Sequence, residues 1–533
     1  LAFVTAAEFH RLARAAMGRG DAAGARHAIA SMLAADPDYA PGWLTVSLLE
    51  LDLGHGVRAL EAATRGMALG ALGALGAPEP ALRVQLVRCL HATGQLARAR
   101  AAVVEAEPHV LGHPPLQHEL GNACAALGEY ESALRLMSLA AGAHPDDPAI
   151  AYNKAAVLRY LGRFGEAEAC LDSAIEAAPH DGEAWLARSL LRTQTASRNH
   201  VASLHAALAQ ASDRWPREVQ LRYALAKEYE DLGADALSFQ HLDAGARRRR
   251  RNLHYDAGSD IAAMEHIRAH FGRDYLARAS SPHDAAPIFI FGLPRSGTTL
   301  IDRILGSHPD VVSLGELNEF PSSVIACANT AGGAAGKLDL IARAAEVPAG
   351  DLGAAYLARV AEHAPASAVF IDKLPMNYLY AGLIAAALPR ARLVHVSRHP
   401  MANAYAMYKT LFQQGYPFSY DLRELGGYVG GYTRLMAHWR DVLGARLISV
   451  RYEDVAADPE RQIRQLVSAC GLPWHDACLA PHRNPAPSAT QSAVQVRQPI
   501  SAAAIDQWRR FARHLAPLRA RLLAEGLSEA ELA

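Results

Sequence analysis

Gly94, Gly128 and Gly162 stand 34 residues apart, and that interval governs the first half of the chain. Leu96, Tyr130 and Phe164 keep it, as do Ala99, Ala133 and Ala167; Pro145 pairs with Pro179, Gly20 with Gly54, and Ala25 with Ala59. A period of this length marks a stacked structural unit, and a chain built from such units has no single globular core. In the best copy, LGNACAALGEYESALRLMSLAAGAHPDD, small residues at Gly121 and Ala133 let two helices approach closely, and Gly128 makes the turn between them. Pro145 stops the second helix, because proline cannot continue the hydrogen-bond ladder. About seven such units fit between residues 6 and 250, with an irregular insertion near GALGALGAPEP and a degenerate sixth unit.

This pattern resembles the tetratricopeptide repeat. The resemblance implies an α-solenoid over 1–250 whose concave surface takes a peptide or partner protein, against the plainer alternative of a rigid spacer or dimer platform. The array ends in Arg247-Arg-Arg-Arg-Arg251, expected to be a solvated cap or linker. One short basic run in a chain of net charge -1 argues against nucleic acid as a partner, and the even balance argues against a membrane surface. Six scattered cysteines without a CxxC pair speak against zinc sites and a disulfide framework, with Cys470 and Cys478 the pair left open. The opening LAFVTAAEFHRLARAA has no basic segment before its short apolar stretch, and no later run approaches eighteen apolar residues. The expectation is a soluble, cytoplasmic protein; its oligomeric state is not legible.

After a helical linker over 251–285, the texture changes. Apolar runs IFIF (288–291), AVFI (368–371), RLVHV (392–396) and RLISV (446–450) are each followed by a turn and a helical pattern. Such alternation predicts an α/β, three-layer domain over 286–533 with a parallel sheet, its functional loops at the carboxyl ends of the strands. GLPRSGTTL follows the first run and leads into a helix expected over Thr298–Gly306. In that context backbone N–H groups and the positive helix end can wrap a phosphate, with hydroxyls from Ser296, Thr298 and Thr299 added. A triphosphate loop would read GxxxxGK[ST]; here Thr298 stands at the lysine position, so a nucleotide monophosphate end fits better than a triphosphate.

PRSGTTL, then SHPDVVSLGE, DKLP and SRHP, resembles the sulfotransferase superfamily, and within it the tyrosylprotein sulfotransferases and their bacterial tetratricopeptide-fused relatives. The resemblance implies a P-loop-like fold. It also implies transfer of a sulfuryl group from 3′-phosphoadenosine-5′-phosphosulfate to an acceptor hydroxyl, leaving adenosine 3′,5′-bisphosphate, without a metal. It implies further that Arg295, Ser296, Gly297, Thr298 and Thr299 cradle the 5′-phosphosulfate. Glu316 falls on the catalytic base, with Glu319 in reserve; a carboxylate partly out of water beside the reacting group can accept a proton near neutrality. Lys373 and Ser492 fall on the groups that stabilise the leaving oxygen, with Ser488 and Thr490 competing for the serine's role, and Asp372 orients the lysine's loop. Arg398 matches the arginine that grips the 3′-phosphate, and Tyr452 a nucleotide-contacting tyrosine. Gln495, Val496 and Arg497, within 495–500, close over the nucleotide, and Trp508 reads as a packing anchor.

Four positions depart from the family pattern. Ala406 replaces a serine expected on the 3′-phosphate, Thr410 stands where an arginine occurs, Gln507 where a lysine does, and His399 replaces an aspartate. A lost hydroxyl contact to a charged group costs on the order of 1.5–3 kcal/mol, which weakens donor binding before it abolishes chemistry; His399 or Tyr405 are the candidates to compensate. The leading expectation is an active sulfotransferase whose array recruits an acceptor, a tyrosine-bearing peptide fitting the resemblance, or a partner. The alternative is an interaction scaffold carrying a degenerate sulfotransferase fold. Segments 318–360 and 411–430 are the expected acceptor loops, and a glycan or small-molecule hydroxyl stays open as acceptor.

Overall fold

The computed structural model describes residues 5–71, 79–211, 214–330, 332–363, 369–413 and 415–533. Seven consecutive helix pairs occupy the first half, from Ala6–Gly18 with Ala22–Ala35 to Trp215–Asp231 with Asp235–Arg251. Their turns have a physical signature: Gly20, Gly54, Gly94, Gly128, Gly162 and Gly233 all hold positive φ between 73° and 80°, a conformation that costs glycine little and other residues more. At Gly121 an added Cβ would come within 2.9 Å of the Met137 side chain, so the glycine is what lets the two helices of that pair close. The sixth pair is the degenerate one, two nine-residue helices, Gly182–Leu190 and Val201–Ala209, around a Thr195–Arg198 bridge. The insertion at GALGALGAPEP lies for the most part outside the described residues.

Tertiary contacts divide the chain into two compact units, Leu1–Ala177 and Ala178–Ala533. Five helix pairs make up the first. The second holds the sixth and seventh pairs together with everything that follows. Helices Ala257–His270 and Arg273–Arg278 lie in the segment expected as a linker, and they supply Met264, Ile267, Phe271 and Tyr275 to the core of this unit.

Five strands form a parallel sheet in the order β2-β3-β1-β4-β5: β1 Ile288–Phe291, β2 Val311–Ser313, β3 Val369–Asp372, β4 Arg392–Ser397 and β5 Leu447–Arg451. Four match apolar runs seen in the sequence, although Ala368 of AVFI lies outside the described residues and Arg446 belongs to a short 3-10 turn. β2, three residues at the sheet edge, is not foreseen. Alternation along β1 feeds two cores. Ile288 and Ile290 face a layer with Ile301, Ile304, Val450 and Leu466, whereas Phe289 and Phe291 face a larger layer with Tyr356, Ile384, Leu435 and Trp439. Both faces are covered, which makes the expected three layers. Cys470 and Cys478 are buried in the smaller core as separate thiols.

The seventh helix pair shares the larger core through Val219, Tyr223, Phe239 and Leu242. Polar contacts reinforce it. Tyr223 donates to the Tyr408 carbonyl (3.2 Å), Tyr408 to Asp243 (3.0 Å), and Lys409 pairs with Glu230 at 2.8 Å. The five-arginine run is therefore solvated only at its ends, Arg247 and Arg251. Arg249 donates to the carbonyl of Phe412 at 2.8 Å, and Arg250 forms a two-pronged bond to Glu424 at 2.6 and 2.8 Å while also reaching the Tyr255 carbonyl. Since Arg250 and Glu424 are both about three-quarters buried, Arg250→Ala is expected to cost about 2 kcal/mol. Urea denaturation read on the second unit checks this. Arg250→Lys is expected to recover only part of the loss, because an ammonium cannot make the paired contact.

Candidate active site at the carboxyl edge of the sheet

A parallel sheet delivers every strand's carboxyl end to one edge, and each of the five ends here leads into a residue singled out by the sequence. β1 runs into Gly292–Gly297, β2 into Glu316, β3 into Lys373, β4 into Arg398 and β5 into Tyr452. Residues as much as 160 positions apart in the chain, Gly292 and Tyr452, are gathered on one rim.

The loop after β1 packs tightly before it turns. A Cβ on Gly292 would collide with the Val396 carbonyl of β4, and a Cβ on Gly297 would meet the Tyr452 ring at 2.7 Å. Gly297, with φ 108°, caps the helix Thr298–Leu305, whose first residues Thr298 and Thr299 are buried. Arg295 takes a left-handed backbone at φ 65°, strained for a non-glycine residue. Its guanidinium donates to Ser492 Oγ at 2.5 Å and Gln495 Oε1 at 3.1 Å, which brings the C-terminal segment over the loop. Arg303, from the helix, fixes that segment further by donating to the carbonyls of Ala486 (2.5 Å) and Asn484 (2.6 Å). Val496 is buried beneath it and Arg497 turns back to the Ala486 carbonyl.

Two guanidinium groups lie close together here. Arg398 donates to the Arg295 carbonyl at 3.4 Å and sits over the Tyr452 ring, 4.9 Å from its centroid. Burial, and then the neighbouring charge of Arg398, push Arg295 down to about 10; burial lowers Arg398 as well. Ser296 Oγ is buried without a hydrogen-bond partner among the described atoms. Crowded cations, an orphaned hydroxyl and a helix amino end suit a bound oxyanion, which would lower the cost of holding the cations together.

On the other side of the loop, Lys373 is almost fully buried and its ammonium is paired with the half-exposed carboxylate of Glu316. A bracket holds the pair. Ser313 Oγ donates to Asp302 at 2.6 Å and accepts from the Gly315 N–H at 3.3 Å, and the Gly315 carbonyl accepts from the Lys373 N–H at 2.9 Å. Asp372, fully buried, accepts from Tyr356 (3.0 Å) and Asn377 (3.1 Å), so it anchors the end of β3. Glu319 points elsewhere, to His363 at 3.1 Å, and is apart from the Lys373–Glu316 pair. Ser488 and Thr490 face each other at 3.4 Å, while Ser492 meets Arg295.

Residues 287–476 match the model of the Sulfotransferase family, and residues 125–191 match a Tetratricopeptide repeat model. The chain carries a sulfotransferase-family domain behind tetratricopeptide repeats. It is 33% identical over 253 residues to an uncharacterized protein of Aquifex aeolicus, covering 46% of this chain and 33% of that one. It is 23% identical over 274 residues to the protein-tyrosine sulfotransferase of Drosophila melanogaster, covering 48% and 53%. The chain thus spans a third to about half the length of these relatives. Among solved structures, the sulfotransferase domain of the Synechococcus olefin synthase aligns at 19% identity with a TM-score of 0.32, over 44% of this chain and 91% of that one.

Within the sulfotransferase-family domain, the departures noted in the sequence have definite surroundings. Ala406 is buried in the helix Pro400–Tyr408, and its carbonyl accepts from Thr410 Oγ1 at 2.8 Å. His399 stacks on Trp508, with centroids 5.2 Å apart and planes at 18°, so Trp508 is the anchor its sequence suggested. Tyr405 stacks on Phe511 beneath Lys409. Sequence reasoning missed Asp302 and Ser313. The available signal was a carboxylate on the apolar face of the helix, beside Ile301, Ile304 and Leu305.

Burial raises the Asp372 carboxyl from its ordinary 3.8 to about 8. The folded chain therefore keeps a proton there that the unfolded chain loses, and stability attached to this group falls as pH rises from about 4 towards 8. For Asp372→Asn the unfolding free energy from urea titration should gain on the wild type across that window, by at most about 1.4 kcal/mol per pH unit. A difference that stays constant with pH would contradict a protonated Asp372.

Proposed function

We propose that the domain moves a sulfuryl group from 3′-phosphoadenosine-5′-phosphosulfate to an acceptor hydroxyl, a peptide tyrosine being the acceptor closest to the named relatives, and that the array recruits that acceptor or a partner. The observation that carries the donor reading is the half-buried pair Arg295 and Arg398 beside the orphaned Ser296 hydroxyl. Nothing in the loop supplies the lysine a triphosphate would need. In this reading Arg295, Ser296, Gly297, Thr298 and Thr299 hold the 5′ end. Arg398 and Tyr452 hold the 3′-phosphate and nucleoside, and Gln495, Val496 and Arg497 close the site.

The chemistry then falls to three side chains. Glu316 takes the proton of the acceptor hydroxyl as its oxygen bonds to sulfur. The electron pair of the breaking S–O bond passes to the phosphate oxygen, and Lys373 and Ser492 meet the charge that develops there. The Lys373–Glu316 contact fits this division of labour, since it puts acid-accepting and charge-stabilising groups at one point on the rim.

Transfer from sulfur-labelled donor is the direct assay. Lys373→Ala and Glu316→Ala are each expected to lower kcat by about 10²–10³, equivalent to about 2.7–4 kcal/mol. Undiminished transfer by both variants would overturn the roles. Ala406 supports the rival reading, a scaffold with a degenerate domain, and calorimetric titration with adenosine 3′,5′-bisphosphate separates the two: absence of binding at millimolar ligand favours the scaffold.

A further inference from the structure

The helix Pro400–Tyr408 is buried at every position from Met401 to Tyr408, and Asn403 is the one carboxamide among those side chains. A primary amide taken out of water costs stability unless its hydrogen bonds are made, and Asn403 is 3% exposed. Its Nδ2 donates to the Pro294 carbonyl at 2.8 Å, across 109 positions of the chain. That carbonyl lies in the loop after β1, immediately before the strained Arg295.

A residue's backbone dihedrals are set by the two rigid peptide planes that flank it. At Arg295, with φ 65°, both planes are held from outside the loop. Asn403 holds the plane before it through the Pro294 carbonyl, and Arg398 the plane after it through the Arg295 carbonyl at 3.4 Å. One short stretch, 398–403, therefore grips both. That stretch is itself fixed: the Asn403 N–H donates to the His399 carbonyl at 2.9 Å, and the His399 N–H to Glu453 at 2.8 Å. The grip also decides which backbone groups the loop turns inward. The carbonyls of Leu293, Pro294 and Arg295 accept from the Ser296 N–H (3.1 Å), Asn403 and Arg398 respectively, so none of these three oxygens is turned towards an incoming anion. The N–H groups of Thr298 and Thr299, in the first turn of the next helix, have no helical carbonyl behind them.

On the reading given under Proposed function, in which this loop takes the 5′ end of the donor, we propose that Asn403 is a positioning residue: its bond to Pro294 keeps the loop in the strained shape whose carbonyls point inward. Without that bond the plane before Arg295 is free to rotate, and the left-handed backbone relaxes. The helix that carries Ala406 in place of a serine then contributes to donor binding through the loop it holds.

The test uses the full chain with Asn403→Leu, similar in size and without a donor, and Asn403→Ala should the leucine variant not fold. Calorimetry with adenosine 3′,5′-bisphosphate and with adenosine 3′-phosphate reads the share of the 5′-phosphate as the ratio of the two Kd values. Asn403→Leu should cut that ratio by about tenfold, through weaker binding of the bisphosphate alone. Hydrogen exchange over residues 292–297 should speed up by about tenfold, with β3 and β5 unchanged. Met407→Leu, a volume-conserving change one turn further along the same buried helix, should alter neither. An unchanged ratio, or a loop that exchanges as in the wild type, overturns the proposal and leaves the donor reading standing. Equal weakening of both probes, or the same losses in Met407→Leu, also overturns it, since a loosened helix core accounts for them. A wild-type chain that binds neither probe at millimolar concentration overturns the donor reading, and the proposal with it.

Discussion

Parallel strands can be joined only by crossovers that return each time to the same starting edge, and this constraint gathers the site. The five carboxyl ends stand side by side, so loops distant in sequence become neighbours without any long-range recognition between them. Burial of both sheet faces then makes the rim rigid. β1 is buried along its length, with isoleucines towards one layer and phenylalanines towards the other, and the loop after it inherits that fixity at Phe291. The strained backbone at Arg295 is tolerable because the strand before it and the helix after it cannot move to relieve it.

On this rim charge is handled in two ways. Lys373, nearly inaccessible to water, is paired with a carboxylate that is itself half in solvent. A buried ammonium left alone would be costly, and a fully buried pair would lose the hydration of both ions. The observed pair keeps one partner accessible. Arg295 and Arg398 follow the opposite scheme, like charges held close, with the depressed pKa of Arg295 recording the cost. The cation on one side meets a carboxylate, and those on the other sit beside each other and the Tyr452 ring.

Much of this was legible where the chemistry is local. GLPRSGTTL is one contiguous string, and its strand, turn and helix lie within it, so the loop could be read without knowing the fold. Glu316, Lys373 and Arg398 each sit in a short recognisable string after an apolar run or turn. What links them was not legible. The Lys373–Glu316 contact spans 57 positions, and nothing near either residue encodes the other. β2 escaped notice because three residues on a sheet edge, one buried and one exposed, leave no periodic trace. The five arginines misled for a related reason: composition reports charge, but the partners of Arg249 and Arg250 lie at Phe412 and Glu424, in another part of the chain.

The seventh helix pair has the period and turn geometry of its predecessors, yet its side chains belong to the core of the sulfotransferase-family domain. Repeat arrays lengthen and shorten by gaining or losing whole units, and a unit is expendable only if its neighbours on both sides are other units. The second, third and fourth meet that condition within their own compact body. The seventh does not, because deleting it would strip Tyr223, Glu230, Asp243, Arg249 and Arg250 from residues 408–424. The seventh pair therefore could not be removed without exposing the core of the sheet it packs on.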